Sequence, residues 1–458
     1  MSIQVSADLI PSANPSGTSS SHRQTALMAL LSHRSPLDLP SIASDVTWLH
    51  EVRDRAAARV QELAIPSTRE EEWRFTDLSP LMQTVFHVPK PTTQPAYISL
   101  LNLPEASEHR LVFVNGVYKP HLSIVPDLPT ELFIGNLSQL PSERLAHVQN
   151  YLTQQPGAEE VFTTLNTASF ADVAIVWIPK NLVVETPLHL LFVSTAEATS
   201  IAHPRGLVIA ETGSCATLVE EYWDGQAEDP DSQGNVYFTN AVTEIWLDAN
   251  AQVTHTRIQA ESKAAFHIGK TAVSQARDSR YTCNAISFGA KLSRHNLEIY
   301  QTGEQTETTL NGLTLIGGEQ LADTHSAIAL TKPHSTTRQL HKCIVDDRAH
   351  AVFNGKVFVP KAAQLTDAGQ LNRNLLLSPK ARVDTKPQLE IVADNVKCTH
   401  GATVGQLDTD EVFYLQSRGI DAASARNLLI YAFAYEILGK IAIDSLQQKL
   451  SQLVTSRT

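Results

Sequence analysis

The fold is decided by stretches such as Ala351-Val352-Phe353-Asn354-Gly355-Lys356-Val357-Phe358-Val359, in which apolar residues are interspersed with small or polar ones. Thr308–Ile316 has the same character, and short runs of this kind, bounded by Gly, Asn, Asp or Pro, recur every ~8–12 residues from 166 to 406. This spacing is typical of a sandwich, a barrel or a solenoid. Helical crossovers are missing, and about 240 residues is long for a single sandwich. We therefore predict a mainly β protein with a solenoid core over 166–406, although no strict sequence repeat is visible.

The segment 41–165 is predicted to be a helical region with some strand. Apolar residues between Trp48 and Leu63 recur about every four positions, which indicates an amphipathic helix. Leu111-Val112-Phe113-Val114 followed by Asn115-Gly116 indicates a strand that ends in a tight turn. The solenoid is therefore expected to follow an N-terminal α/β region.

Residues 407–458 return to helical patterns. Thr409 stands where a helix N-cap is expected, and Gly419 suits the C′ position at the end of that helix. Asp421 is predicted to cap a longer helix over 422–438, followed by an amphipathic continuation. A helix at the end of a solenoid either covers the last rung or binds a partner, and the pattern leaves both open.

Residues 1–40 are predicted to be a disordered tail. Met1–Arg34 is rich in Ser and contains Asp8 as its one acidic residue. Organelle transit peptides share this composition, so a transit peptide is the alternative. Four cysteines in so long a chain do not form a disulfide framework. We therefore expect a reducing compartment, with the cytoplasm as the default and the plastid stroma left open.

The composition excludes several functions. The 458 residues include 36 Lys and Arg against 48 Asp and Glu, a formal charge of -12. That charge repels phosphate backbones, so neither nucleic acid nor an anionic membrane is expected as a partner. No apolar run approaches the ~20 residues that span a bilayer. No GxxxxGK[ST] phosphate loop is present, so the chain is not expected to be an ATPase itself.

The run Val396–Gly405 contains the strongest candidate site. It has the pattern of a β-strand, and side chains two residues apart in a strand point to the same face. Cys398 and His400 should therefore share a face, and thiolate and imidazole are ligands for both zinc and iron–sulfur chemistry. Two ligands do not complete a metal site, so others would have to come from elsewhere. The alternative is that both are ordinary residues of the core.

Besides a metal-binding protein, two further classes of protein remain open: an enzyme and an inert structural subunit. β-Solenoids host polysaccharide-cleaving enzymes, and Asp346-Asp347 could suggest a carboxylate pair. Adjacent strand residues point to opposite faces, however, so these two carboxylates cannot act together and a solvated turn explains them better. The third class is an inert structural β-helix subunit with Cys398 and His400 buried.

Several motifs resemble those of the SufB/SufD family of iron–sulfur cluster assembly proteins. The resemblance is dense from about 310 to 435 and rests on Phe353-Asn354-Gly355, Ala363–Ser378, Pro387–Ile391, Ala393–Thr403 and Ser417–Ile420. Glu72–Asp77 looks like an early motif of the same family. The family implies a right-handed parallel β-helix between helical terminal regions.

The motifs are similar to those of the SufD branch. In the SufB branch a cluster-ligating cysteine precedes the Arg-Gly-Ile motif, whereas Leu415 stands there in this chain, and leucine cannot ligate iron. The Lys-Cys-Thr-His-Gly-Ala-Thr run is similar to that of SufD, in which the histidine is the functionally important residue. The resemblance therefore implies that His400 is a metal ligand, and implies the same less directly for Cys398.

The resemblance also implies a non-enzymatic scaffold with two kinds of partner. A SufB-like paralogue would join the β-helix, and a nascent iron–sulfur cluster would form transiently at their interface. A SufC-like ABC-type ATPase would dock on the C-terminal helices and hydrolyse ATP. The resemblance leaves open a homodimer in isolation and a reduced flavin in the complex. The residues expected to contact partners are Phe413, Tyr414, Leu415, Arg418, Gly419 and Phe433.

Overall fold

Successive strands alternate between two large, mainly parallel sheets, which wind into a parallel β-helix. The computed structural model describes residues 17–37, 47–89, 98–125, 131–195, 198–225 and 234–457. Its strands are Arg110–Val114 (β1), Val117–Tyr118 (β2), Phe133–Asn136 (β3), Ala174–Ile178 (β4), Leu188–Ser194 (β5), Ser200–Ala202 (β6), Arg205–Ala210 (β7), Cys215–Asp224 (β8), Tyr237–Leu247 (β9), Gln252–Ala260 (β10), Phe266–Gln275 (β11), Arg280–Ser287 (β12), Leu292–Gln301 (β13), Glu307–Ile316 (β14), Leu321–Ala329 (β15), Thr336–Val345 (β16), His350–Val359 (β17), Asp367–Leu376 (β18), Arg382–Ile391 (β19) and Lys397–Gly405 (β20).

From β7 onward, consecutive strands lie alternately in one sheet and in the other. The first sheet has the order β2-β1-β5-β8-β10-β12-β14-β16-β18-β20, and the second has β19-β17-β15-β13-β11-β9-β7-β4-β3, with β6 also paired to β9. The solenoid prediction is therefore confirmed. The α-helices are Gly17–Ser32 (α1), Thr47–Val60 (α2), Ser79–Met82 (α3), Ser142–Val148 (α4), Val161–Ser169 (α5), Thr409–Ser417 (α6), Ala422–Leu438 (α7) and Asp444–Ser456 (α8).

A ladder of left-handed residues marks one corner of the solenoid. Asn250, Asp278, Gln305, His334 and Leu365 all have φ between 58° and 64°. The amide of each donates to a carbonyl of the following rung, from Asn250 to Arg277 at 2.8 Å through to Leu365 and Asn395 at 2.7 Å. Their spacing in the chain varies from 27 to 31 residues, and their residue types differ. This variation explains why the repeat is not visible in the sequence.

The N-terminal region differs in part from the prediction. Within the stretch 1–40, expected to be disordered, residues 17–32 form α1, whose Leu27 is fully buried. Leu27 packs with Val60 of α2 and with Phe86, so tertiary burial supports a helix that a Ser-rich sequence conceals. Residues 1–16 and 38–40 of that stretch lie outside the described residues. The strand and turn at 111–116 are confirmed, because Val114 pairs with Val117 across Asn115 and Gly116, both at positive φ.

The motif Glu72–Asp77 ties the N-terminal region to the outer face of the second sheet. Trp73 is buried beneath the guanidinium of Arg294, whose central carbon lies 3.8 Å from the ring centroid. The Thr76 hydroxyl donates to Asp323 at 2.5 Å, and His325 lies 3.2 Å from the Glu72 carboxylate. The motif is therefore a packing and hydrogen-bonding element.

The C-terminal helices follow their predicted bounds closely. Asp421 caps α7 by accepting the Ser424 amide at 3.0 Å, and Gly419 ends α6 with φ 88°. The N-cap of α6 is Asp408 and not Thr409, because the Asp408 carboxylate accepts the amide of Asp410. Apolar residues of α7 and α8 pack with outward-facing residues of the first sheet. None of the described helices is long and apolar enough to cross a membrane.

The two ends of the β-helix are built differently. At the N-terminal end, β2 and β3 pair antiparallel to β1 and β4 and close the sheets. At the C-terminal end the last strands are β19 and β20, and no other described strand pairs with their outer edges. The C-terminal end is therefore the open one.

Candidate functional site

Cys398 and His400 lie on β20, the last strand of the first sheet. In the parallel register Cys398 is beside Ala368 and His400 is beside Gln370. Ala368 and Gln370 are 2% and 3% exposed and belong to the interior of the solenoid. Cys398 and His400 therefore continue two interior columns, which agrees with the prediction that they share a face.

The position of β20 exposes what would otherwise be interior side chains. His400 is exposed, whereas Cys398 is half-buried and packs against the main core cluster. Burial raises the pKa of the Cys398 thiol, the backbone hydrogen bond with Ala368 lowers it, and the charge of Asp367 raises it; the net shift is upward. The thiol is therefore protonated at neutral pH, and metal binding there must release a proton.

A chain of polar side chains leads through the interior to the position of His400. Gln370 donates its Nε2–H to Oε1 of Gln339 at 2.8 Å, and Gln339 donates to the Ser326 hydroxyl at 2.8 Å. Gln339 and Gln370 are neighbours in register on β16 and β18, and His400 is the next residue in that column. Sequence reasoning missed Gln370, although its position inside the family-like run Ala363–Ser378 was a signal.

The ligand set within this chain is incomplete. In the part of the chain that the structure describes, no group of three or more His, Cys, Asp or Glu side chains could hold a metal ion. Cys398 and His400 therefore supply at most two ligands. Structural and catalytic zinc sites have three or four protein ligands, so a metal ion bound here would need further ligands from another molecule.

The outer edge of β20 is competent to pair with another strand. Lys397 donates its amide to the Thr366 carbonyl at 2.9 Å, so the odd-numbered amides of β20 face β18. By alternation the even-numbered amides, including that of His400, face away from the sheet. An exposed row of unpaired donors and acceptors is a template for strand addition.

The outer edge of β19 is interrupted. Arg382 and Val392 donate their amides to the Ala349 and Val359 carbonyls of the β17 side at 3.0 and 2.8 Å, so even-numbered amides face inward. Pro387 occupies an odd-numbered position and has no N–H to offer to a strand outside. Of the two edges at the open end, β20 has the uninterrupted row of donors.

Four of the predicted partner-contacting residues form an exposed surface on and just beyond α6. Phe413 and Tyr414 are 69% and 57% exposed, and the Arg418 guanidinium lies 5.3 Å from the Tyr414 ring centroid. Gly419 is exposed as well, whereas Leu415 is half-buried. No residue of α6 is buried. Phe413 and Tyr414 are therefore available to contact another molecule.

Phe433 is placed differently from the other predicted contacts. It is half-buried in α7 and faces the solenoid, with the Lys342 Nζ 3.9 Å from its ring centroid. The large apolar residues of α7 that are exposed are instead Leu428 and Tyr435, at 47% and 43% exposure. They lie seven residues apart and so share one helix face, a spacing that the sequence analysis could have used.

The carboxylates of the rival enzyme hypothesis belong to a turn. Asp346 accepts the amide of Asp347 at 2.8 Å, and Asp347 has φ 51° and accepts the Gly318 amide at 2.8 Å. Both carboxylates are committed to capping turn amides. They do not form a pair that faces a groove.

Comparison with known proteins identifies the family. The profile of the SufBD core domain of the SUF system for FeS cluster assembly matches residues 192–433, and that of the SufBD N-terminal region matches residues 41–190.

Relatives match over most of their length. An iron–sulfur cluster assembly SufBD family protein of Synechocystis is 49% identical over 409 residues, which are 89% of this chain and 90% of the relative. The chloroplastic protein ABCI7 of Arabidopsis thaliana is 37% identical over 86% of this chain and 82% of its own. The iron–sulfur cluster assembly protein SufD of Escherichia coli is 32% identical over 88% of this chain and 92% of its own. As its motifs predicted, the chain belongs to the SufB/SufD family of iron–sulfur cluster assembly proteins, in its SufD branch.

Proposed function

We propose that this chain is a scaffold subunit that forms half of an iron–sulfur cluster assembly site, which a SufB-like partner completes. The observation that carries the proposal is the position of His400. It extends an interior column of the β-helix, yet it is exposed because no other described strand covers it. A partner rung placed on this end would enclose His400 together with the growing cluster.

The β20 edge of the open end supports pairing with a second β-helix. The backbone donors of β20 are uninterrupted, and pairing them would place a partner strand about 4.8 Å from the backbone of His400. A ligand on that strand would then be within reach of the same metal ion. Leu415 offers no ligand, so the cysteine that the family resemblance leads us to expect has to come from the partner.

The exposed surface of Phe413, Tyr414, Leu428 and Tyr435 is proposed to bind a SufC-like ATPase. These residues are exposed on α6 and α7, while the opposite side of α7 is packed on the solenoid. The chain lacks a phosphate loop, so ATP hydrolysis belongs to the partner. We propose the cytoplasm or the plastid stroma as the site of action, and note that one relative carries a chloroplastic name.

The test is cluster content in the purified complex with partners. His400→Ala should abolish most of the bound iron and acid-labile sulfide while the complex stays intact. Thr399→Ala, the adjacent residue on the other face of β20, is the matched control and should leave both unchanged. Wild-type iron and sulfide in an intact His400→Ala complex would refute the ligand role.

A further inference from the structure

The interior chain of hydrogen bonds at the open end has a direction. Gln370 donates to Gln339 Oε1 and Gln339 donates to the Ser326 hydroxyl, each at 2.8 Å, while that hydroxyl also lies 3.2 Å from Gln339 Oε1. The three side chains are at most 7% exposed. Each carboxamide therefore uses its N–H to reach back to the preceding residue, and the chain ends in the carbonyl oxygen of Gln370.

That oxygen is the unusual feature. Gln370 Oε1 is buried and has no hydrogen-bond partner. The oxygen and nitrogen of a carboxamide point in different directions, so an amide that donates back to β16 presents its oxygen away from that strand, and the next strand on the other side is β20. The residue in register there is His400, on a strand about 4.8 Å away. Buried polar atoms are normally satisfied, so the oxygen of Gln370 marks a site for a donor.

The backbone opposite is shaped to keep Gln370 in this position. Gly355 on β17 lies against its amide, and a Cβ at Gly355 would lie 2.2 Å from Nε2 of Gln370. Any larger residue at 355 would push the amide out of the column. The room for Gln370 is therefore made by a residue on the opposite sheet.

We propose that Gln370 is a positioning residue for His400. Its Oε1 accepts a hydrogen bond from one ring N–H of His400, which holds the imidazole in one tautomer and turns the other nitrogen out of the open end. Within the described chain the His400 ring makes no hydrogen bond, so turning its N–H toward the oxygen breaks none. Ligating histidines commonly use such a partner to set ring orientation. The consequence for cluster binding rests on the proposed function, but the hydrogen bond itself does not.

The test is the tautomer of His400 in the isolated chain, read from its ring ¹⁵N chemical shifts at a pH where the ring is neutral. One tautomer should dominate in the wild type. Gln370→Leu removes the acceptor and should change the tautomer ratio about two- to tenfold, the range expected for one net hydrogen bond. Gln370→Glu keeps an acceptor oxygen and should retain the dominant tautomer. Asn372→Leu, an interior change two residues along β18, should leave the ratio unchanged.

An unchanged tautomer ratio in Gln370→Leu would overturn the inference. If that variant does not fold, Gln370→Met is the second test, because methionine has the length and flexibility of glutamine without the acceptor. These results are separable from the proposed function. If the proposed function is wrong, the His400→Ala complex should contain normal iron. If the role of Gln370 is wrong, the tautomer ratio of His400 should not change in the Gln370→Leu or Gln370→Met variant.

Discussion

Glu436 joins helix α7 to two strands of the β-helix, and its removal should loosen that helix. The carboxylate lies 2.5 Å from Nζ of Lys342 on β16 and 3.3 Å from Nη1 of Arg373 on β18. Lys342 also donates to the Phe433 carbonyl at 2.8 Å. Strand β18 pairs with β20, which carries His400. The Glu436 carboxylate therefore connects α7, the proposed ATPase-binding helix, to the strand beside β20.

The expected loss for Glu436→Gln follows from the exposure of the two partners. Removing one member of a fully buried ion pair costs about 3–5 kcal/mol. The Lys342 side chain is 2% exposed, but that of Glu436 is 43% exposed, and Lys342 keeps the Phe433 carbonyl and ring. We therefore expect about 1–2 kcal/mol. Burial lowers the pKa of Lys342 and Glu436 raises it, with a net decrease, so the variant should lower that pKa further.

Hydrogen exchange of the α7 amides measures this loss locally. A change of 1–2 kcal/mol corresponds to about 5–30-fold faster exchange of amides that open with the helix. Glu411→Gln is the matched control, because Glu411 is an exposed carboxylate of α6 with no ion pair among the described residues. In the double variant with Lys342→Met, no uncompensated buried charge remains, so the losses should be less than additive. Strict additivity would refute the reasoning.

Three further predictions concern the interior and the open edge. Burial raises the pKa of Glu220, but the hydrogen bond to His255 and the charge of His255 outweigh it and lower that pKa to about 2. Burial lowers the pKa of His255, but hydrogen bonds to Cys283 and Glu220 outweigh it and raise that pKa to about 9. The contribution of Glu220 to folding stability is lost as pH falls from 4.5 toward 2, and that of His255 is lost as pH rises from 6.5 through 9. The unfolding temperature of Glu220→Gln should therefore depend less on pH than that of the wild type. Gly355→Ala should destabilise by about 1–3 kcal/mol in denaturant unfolding because it overpacks the interior, whereas Gly405→Ala, whose Cβ would meet nothing within 4 Å, should be neutral; equal effects would contradict the packing argument. Ala402→Pro removes an outward amide of β20 and should abolish co-purification with the SufB-like partner, whereas Ala402→Val keeps that amide and should bind; retained binding by the proline variant would exclude this edge.

Local patterns predicted much of the fold because they reflect local physics. The alternation of the strands, the cap at Asp421 and the left-handed Gly419 each depend on a few neighbouring residues, and the structure has them as predicted. The rung length was not predictable, since the corner position accepts residues as different as Asn250 and Leu365. Helix α1 was missed because long-range packing of Leu27 stabilises it.

The site was predictable only in part for a similar reason. The two-residue period placed Cys398 and His400 on one face, but an interior strand and a terminal strand have the same alternation. Only the tertiary order of the strands shows that β20 is last and that His400 is exposed. Phe433 and Leu428 both lie on the apolar helix α7, and their opposite environments depend on how that helix docks.

If β-helices pair end to end as proposed, the unequal ends of this one limit how many can assemble. A solenoid with two open ends could add subunits at both and grow into a fibre, because each addition would recreate the same edge. Here β2 and β3 run antiparallel at the N-terminal end and leave no parallel rung there to extend. If a partner also has one open and one closed end, pairing through the two open ends leaves no open end for a third β-helix. Under the proposed end-to-end pairing, the fold therefore limits an assembly to two β-helices before any specific contact is considered.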